Sequence, residues 1–86
     1  MTRFAFEVLV SLKEGLSDPQ GAAVESALPA LGWTNVSAVR VGKHIALDVE
    51  APDEATARAQ VEDMAARLLS NPVIEDFRIL EVEVRA

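Results

Sequence analysis

The sequence predicts an α+β fold in the order strand, helix, strand, strand, helix, strand, with a four-stranded antiparallel sheet carrying both helices on one face. Three observations lead there. Phe4, Phe6, Val8, Val10 and Leu12 alternate with Ala5, Glu7, Leu9 and Ser11, the period of two of a strand. Two later stretches, near residues 23–31 and 57–68, repeat apolar residues at steps of three and four. The chain has 86 residues, half of them hydrophobic, which fits one small core and therefore a single domain over residues 1–86.

The elements follow in order. After the first strand, "KEGLSDPQG" reads as a loop in which Ser17 or Asp18 caps a helix that tolerates Pro19 in its first turn. Ala23, Val24, Ala27, Leu28 and Leu31 form its apolar stripe, and Gly32 suits the left-handed residue after the last turn. Pro29 removes a helical hydrogen bond, so the helix is expected to stop or distort near Leu28. "VSAVRVGKHIALDVE" (36–50) reads as a hairpin turning at Gly42-Lys43, with Ile45, Leu47 and Val49 on one face of its second strand. Pro52 and Asp53 open a second helix with the stripe Ala57, Val61, Met64, Ala65 and Leu68, which ends at Ser70-Asn71-Pro72. The final strand, about 77–85, places Leu80, Val82 and Val84 on one face and Phe77, Ile79, Glu81 and Glu83 on the other, so its apolar residues change sides midway. This order is the ferredoxin-like plan. One sheet face is left open there, and Ala5, Leu9, Ala38 and Ala46 on it, with Leu80 and Val82 of the two-sided last strand, are candidates for self-association.

Charge and composition restrict the function. A balance of 8 Lys+Arg to 14 Asp+Glu, net −6, argues against nucleic acid as a partner. No cysteine is present, which removes thiolate metal sites and disulfides and suits a reducing compartment. No apolar run approaches the roughly 20 residues of a membrane span, and the N-terminus does not resemble a signal peptide, so a cytoplasmic location without membrane attachment is expected. His44 has no nucleophile arranged around it, and the adjacent carboxylates Glu75 and Asp76 point to opposite faces of an extended segment. No catalytic residue, metal site or cofactor is therefore expected on this chain. Arg40 to Lys43, "RVGK", lacks the flanking residues of a phosphate-binding loop and reads as a turn with two cations.

Four segments in order resemble one family. "DPQG" (Asp18, Pro19, Gln20, Gly21), "LGW…V…VRVGK" (Leu31 to Lys43, including Arg40 and Gly42), "LLSNP" (Leu68 to Pro72) and "VIEDF" (Val73, Ile74, Glu75, Asp76, Phe77) look like the PurS family, the small subunit of phosphoribosylformylglycinamidine synthase. The resemblance spans nearly the whole chain and departs at Pro29. It implies a cytoplasmic, non-catalytic subunit of de novo purine synthesis. Such a subunit is a homodimer or higher oligomer, with strand or segment exchange as one form of the dimer. It bridges a glutaminase (PurQ) and a large ATP-dependent synthetase (PurL) and assists ammonia transfer in forming formylglycinamidine ribonucleotide. ATP, magnesium and glutamine belong to the complex and not to this chain. On that reading the DPQG and RVGK segments, together with Asn71, Pro72 and the VIEDF residues, are candidate partner contacts.

Three other readings use the same topology. "SDPQG" is similar to the D-x-P-G motif of ACT domains, which would make the chain a free-standing amino-acid sensor. An acylphosphatase-like enzyme needs a phosphoryl-holding arginine that the loop from Lys13 to Gly21 lacks. An RNA-binding module needs aromatic residues on its third strand, and "HIALDVE" has none.

Overall fold

The computed structural model describes residues 1–85. Its elements are β1 (Thr2–Leu12), α1 (Pro19–Ala27) continuing into a 3-10 turn (Leu28–Leu31), β2 (Lys43–Ala51), α2 (Glu54–Met64) continuing into a π turn (Ala65–Leu69), and β3 (Glu75–Arg85). The sheet is antiparallel and three-stranded, in the order β2–β1–β3. This corrects the expected four-stranded sheet, because the first arm of the predicted hairpin is not a strand.

The reason lies in where that segment's backbone donors go. Val39 N–H donates to Glu25 Oε1 at 3.0 Å and Val41 N–H to Asp18 Oδ2 at 2.7 Å. Two donors that a ladder would need are therefore taken by carboxylates at α1. Ala38 adds a left-handed turn, with φ 58°. It lies off the sheet, so its expected place on the open sheet face is also corrected.

β1 supplies the centre of the core. Phe4, Phe6, Val8 and Val10 are buried, with Val49 and Ala51 of β2 beside them and Ala57, Val61 and Ala65 of the second helical stretch above. Among the described residues, the core cover over the sheet comes from the second helical stretch, α2 and its π turn. Both helices were expected on one face, yet Gly21 is the sole buried residue of α1, and Leu31 and Trp33 remain 69% and 54% exposed. The helix itself forms as its caps dictate: Asp18 accepts from Gly21 N, Pro19 opens the first turn, and Pro29 converts the last turn to 3-10 geometry before Gly32 closes it at φ 104°.

Two irregularities explain apolar patterns that misread as simple periodicity. On β3, Glu7 pairs with Glu81 and Val8 with Ile79, so Leu80 is an extra residue, a β-bulge. The bulge resets the alternation: Phe77, Ile79 and Val82 all pack toward the core, and the strand does not change sides. On the second helical stretch, Ser70 N–H reaches the Ala65 carbonyl five residues back, at 2.9 Å, and Ser70 Oγ donates to the same oxygen at 2.7 Å. That wider turn rotates the stripe by one position. Leu69 packs on the core, while Leu68 is 82% exposed.

This phase shift has a measurable outcome. Leu69→Ala is expected to cost about 1–2 kcal/mol in denaturant unfolding, and Leu68→Ala to stay within about 0.5 kcal/mol. An uninterrupted α-helix would reverse that ranking.

Candidate functional site

The sequence segments meet at one end of the sheet, where β1 finishes, with LLSNP and VIEDF running together as one stretch, the third after DPQG and VRVGK. Lys13 N–H donates to the Ile74 carbonyl at 2.9 Å, and its ammonium meets Asp76 Oδ1 at 2.7 Å, which ties the end of β1 to the VIEDF segment. Lys43 Nζ donates to the Leu69 carbonyl at 3.3 Å and lies 3.8 Å from Glu75 Oε1. Arg40 donates to the Leu16 carbonyl at 2.8 Å and the Lys13 carbonyl at 3.4 Å. Its guanidinium thus holds the loop before α1, and neither cation stands free at the surface.

Asp18 joins the first two segments. One carboxylate oxygen accepts from Gly21 N–H at 2.9 Å and the other from Val41 N–H at 2.7 Å, with the side chain buried. These two backbone donors, helped by the nearby Arg40 charge, hold its pKa below the ordinary carboxylate range. Pro19 and Gln20 continue from it into α1 and line a cleft of about 300 Å³ with Gly42, Lys43 and Glu75. Both glycines are there for close approach: a Cβ on Gly21 would collide with the Val39 carbonyl oxygen, and one on Gly42 would stand 2.6 Å from the Val10 carbonyl oxygen.

The third segment is a closed turn. Asn71 carbonyl accepts from Ile74 N–H and Glu75 N–H at 3.1 and 2.7 Å, and Asn71 Oδ1 accepts from Val73 N–H at 3.1 Å. Glu75 Oε1 in return accepts from Asn71 N–H at 2.7 Å. With its polar groups engaged internally, the turn presents Pro72, Val73 and Ile74 outward, Val73 being 79% exposed. Leu68, turned out by the π turn, adds to the exposed apolar side chains of this connection, whereas Phe77 packs against the core.

The open sheet face is more acidic than the sequence pattern suggested. Ala5 and Ala46 line a cleft of about 400 Å³ there, together with Glu7, Asp48, Glu81 and Glu83. Leu9 is half-buried and stands in register with His44 and Arg78. Leu80 is exposed at the bulge, and Val82 is turned to the chain's own core. His44 Nε2 lies 3.3 Å from Glu7 Oε1. The hydrogen bond that a protonated Glu81 carboxyl donates to Glu7, and then the negative charges of Glu7 and Glu83, push the Glu81 pKa up. Sequence reasoning missed this carboxyl pair because Glu7 and Glu81 meet only through strand pairing. Among the described residues no three His, Cys, Asp or Glu side chains are grouped to hold a metal ion, and no helix is long and apolar enough to cross a membrane.

Fold and site together define a class: a small α+β chain whose signature segments are gathered at one sheet end by main-chain ties and leave apolar surface uncovered. The chain belongs to the PurS family, whose model, described as phosphoribosylformylglycinamidine (FGAM) synthase, matches residues 5–83. The FGAM synthase subunit PurS of Synechocystis is 50% identical over 70 residues, 81% of this chain and 70% of the relative. That of Bacillus subtilis is 42% identical over 83 residues, 96% and 98% of the two chains. Thermus thermophilus PurS superposes with a TM-score of 0.83 at 38% identity, covering 94% of this chain and 95% of its own. A chain of the PurLQS structure from Thermotoga maritima gives 0.83 at 33% identity, covering 99% and 100%.

Two pH responses of opposite sign follow. Asp18 has a depressed folded pKa, so its contribution is fully present above the ordinary carboxylate range and is lost as pH falls below about 4. Asp18→Asn, which leaves one backbone donor unmatched, should therefore lower the melting temperature at pH 7, with the difference shrinking on acidification. Glu81 has a raised folded pKa, so its ionised form opposes folding at neutral pH. Glu81→Gln should raise the melting temperature at pH 7 and lose that advantage in acid. Thermal melts of both variants between about pH 3 and 8 check the two signs.

Proposed function

We propose that this chain is the small, non-catalytic subunit of a cytoplasmic FGAM synthase complex in purine biosynthesis. In it, a homodimer or higher oligomer bridges a PurQ-type glutaminase and a PurL-type synthetase and assists the passage of ammonia between them. ATP, magnesium and glutamine are then handled by those partners. The observation that carries this reading is the likeness over nearly the full chain to a chain of the PurLQS structure. The architecture supports it in physical terms. The Cα radius of gyration is 16.6 Å, against about 12 Å for a compact domain of this length. The exposed apolar side chains Leu31, Trp33, Leu68, Val73 and Ile74 offer contacts for a copy of the chain and for a different subunit.

The surface assigned to heterologous partners changes with the geometry. Arg40 and Lys43 serve as internal ties, so the exposed Pro72–Ile74 turn is the better docking element; Lys43, Glu75 and Asp76 act by holding that turn in place, and Arg40 by holding the loop before α1. An ACT-like sensor remains the second reading: the 300 Å³ cleft beside Gln20 is its candidate pocket.

Reconstitution of three subunits separates bridging from chemistry. Val73→Asp alters an exposed side chain and should lower glutamine-dependent FGAM formation by about tenfold or more, while activity at high ammonium, which needs no partner delivery, should fall much less. Equal losses with both nitrogen sources would mean that this subunit shapes the synthetase site itself. A thermal shift with free amino acids, abolished by Asp18→Asn, would favour the sensor.

A further inference from the structure

The exposed turn at residues 72–74 is closed on itself, so its placement depends on ties that reach it from elsewhere, and one of these comes from the very end of a ladder. Leu12 and Glu75 are the last register pair of β1 and β3. Lys13 lies one residue beyond, where its N–H donates to the Ile74 carbonyl at 2.9 Å and its ammonium meets Asp76 Oδ1 at 2.7 Å. Bonds at a ladder end open locally at little free-energy cost unless the residue that makes them is also held from its other side.

One side chain holds Lys13 from that other side. Residues 13–16 form a tight turn in which Leu16 N–H reaches the Lys13 carbonyl at 3.3 Å and Gly15 takes the left-handed region at φ 83°. The Arg40 guanidinium spans this turn, donating through Nη1 to the Leu16 carbonyl at 2.8 Å and through Nη2 to the Lys13 carbonyl at 3.4 Å. Two carbonyls three residues apart suit a planar fork of donors and not the single charged centre of a lysine. Arg40 is itself anchored on both flanks, because Val39 N–H donates to Glu25 Oε1 and Val41 N–H to Asp18 Oδ2. A series of hydrogen bonds, none longer than 3.4 Å, therefore leads from α1 through Arg40 and Lys13 to Ile74.

We propose that Arg40 is a positioning residue for the turn at 72–74: it clamps residues 13–16, the clamp keeps Lys13 at the ladder end, and Lys13 fixes Ile74 and Asp76. Arg40 thus acts on a surface two contacts away from its own. Lys43 supplies a separate tie to the same region, at 3.3 Å from the Leu69 carbonyl and 3.8 Å from Glu75, so loss of Arg40 loosens the turn without releasing it. The proposal rests on the reading that this turn docks a different subunit, to which Arg40 then contributes without touching the partner.

Amide hydrogen exchange in the free chain reads the relay directly. Arg40→Ala should speed exchange of the Lys13 amide about tenfold, with smaller increases at Ile74 and Glu75, while the amides of Phe6, Val8 and Val61 keep their original rates. Arg40→Lys keeps the charge and loses the fork, so it should restore only part of the protection. Unchanged Lys13 exchange in Arg40→Ala would overturn the proposal. Equal acceleration at Phe6, Val8 and Val61 would overturn it as well, since that marks a general loss of stability, and full rescue by Arg40→Lys would overturn the forked clamp. In the reconstituted complex, Arg40→Ala should raise several-fold the amount of this chain needed for half-maximal glutamine-dependent activity, with the same maximum at saturation. Faster Lys13 exchange without that change upholds the relay and counts against the turn as the docking element.

Discussion

Everything in this chain hangs on β1. β2 and β3 hydrogen-bond to it and not to each other, one on each side, along nearly its full length. Its alternating Phe4, Phe6, Val8 and Val10 form the floor on which Ala57, Val61 and Ala65 rest. Its last residues then position the site, because Lys13 carries the pairing one step further to the Ile74 carbonyl. A single strand thus fixes the sheet, the core and the meeting point of three loops.

The features legible in the sequence were those decided by neighbouring residues. The strand period of β1, a cap at Ser17 or Asp18, which Asp18 supplies, a second helix opening at Asp53, Pro19 in the first turn and the break at Pro29 all come from local chemistry, and all are present. The failures are cases in which distant groups prevailed. "VSAVRV" has a strand's alternation, but the carboxylates of Asp18 and Glu25 take its donors. Period counting also cannot register an added residue. The bulge at Leu80 and the π turn before Ser70 each insert one, and each moved an apolar side chain to a face that regular spacing denied it.

The site was legible as a set of segments and not as a set of roles. Motifs far apart in sequence do converge at the end of β1, yet the charged residues in them work mainly for the chain itself: Arg40 on two loop carbonyls, Lys43 on the end of the second helical stretch, Asp18 on two amides. Internal satisfaction of that kind leaves apolar side chains as the outward-facing chemistry, with Val73, Ile74 and Leu68 at the turn. Relatives that are subunits of a synthase are fitting company for a chain built this way.

The pairing of β1 with β3 also bears on how the protein is made. Residues 2–12 are synthesised well before the strand that completes one of their two ladders, residues 75–85. The helical residues that pack on the buried side chains of β1, Ala57, Val61 and Ala65, also come late in the chain. The Phe-bearing strand therefore waits unpaired on that side until residues 75–85 have emerged, and closure links segments more than sixty residues apart, an entropically slow step. A nascent chain in this state is exposed to aggregation and to chaperone capture. Completion of the sheet is thus tied to the synthesis of residues 75–85, and a chain cut short before residue 75 has one of its two ladders permanently missing.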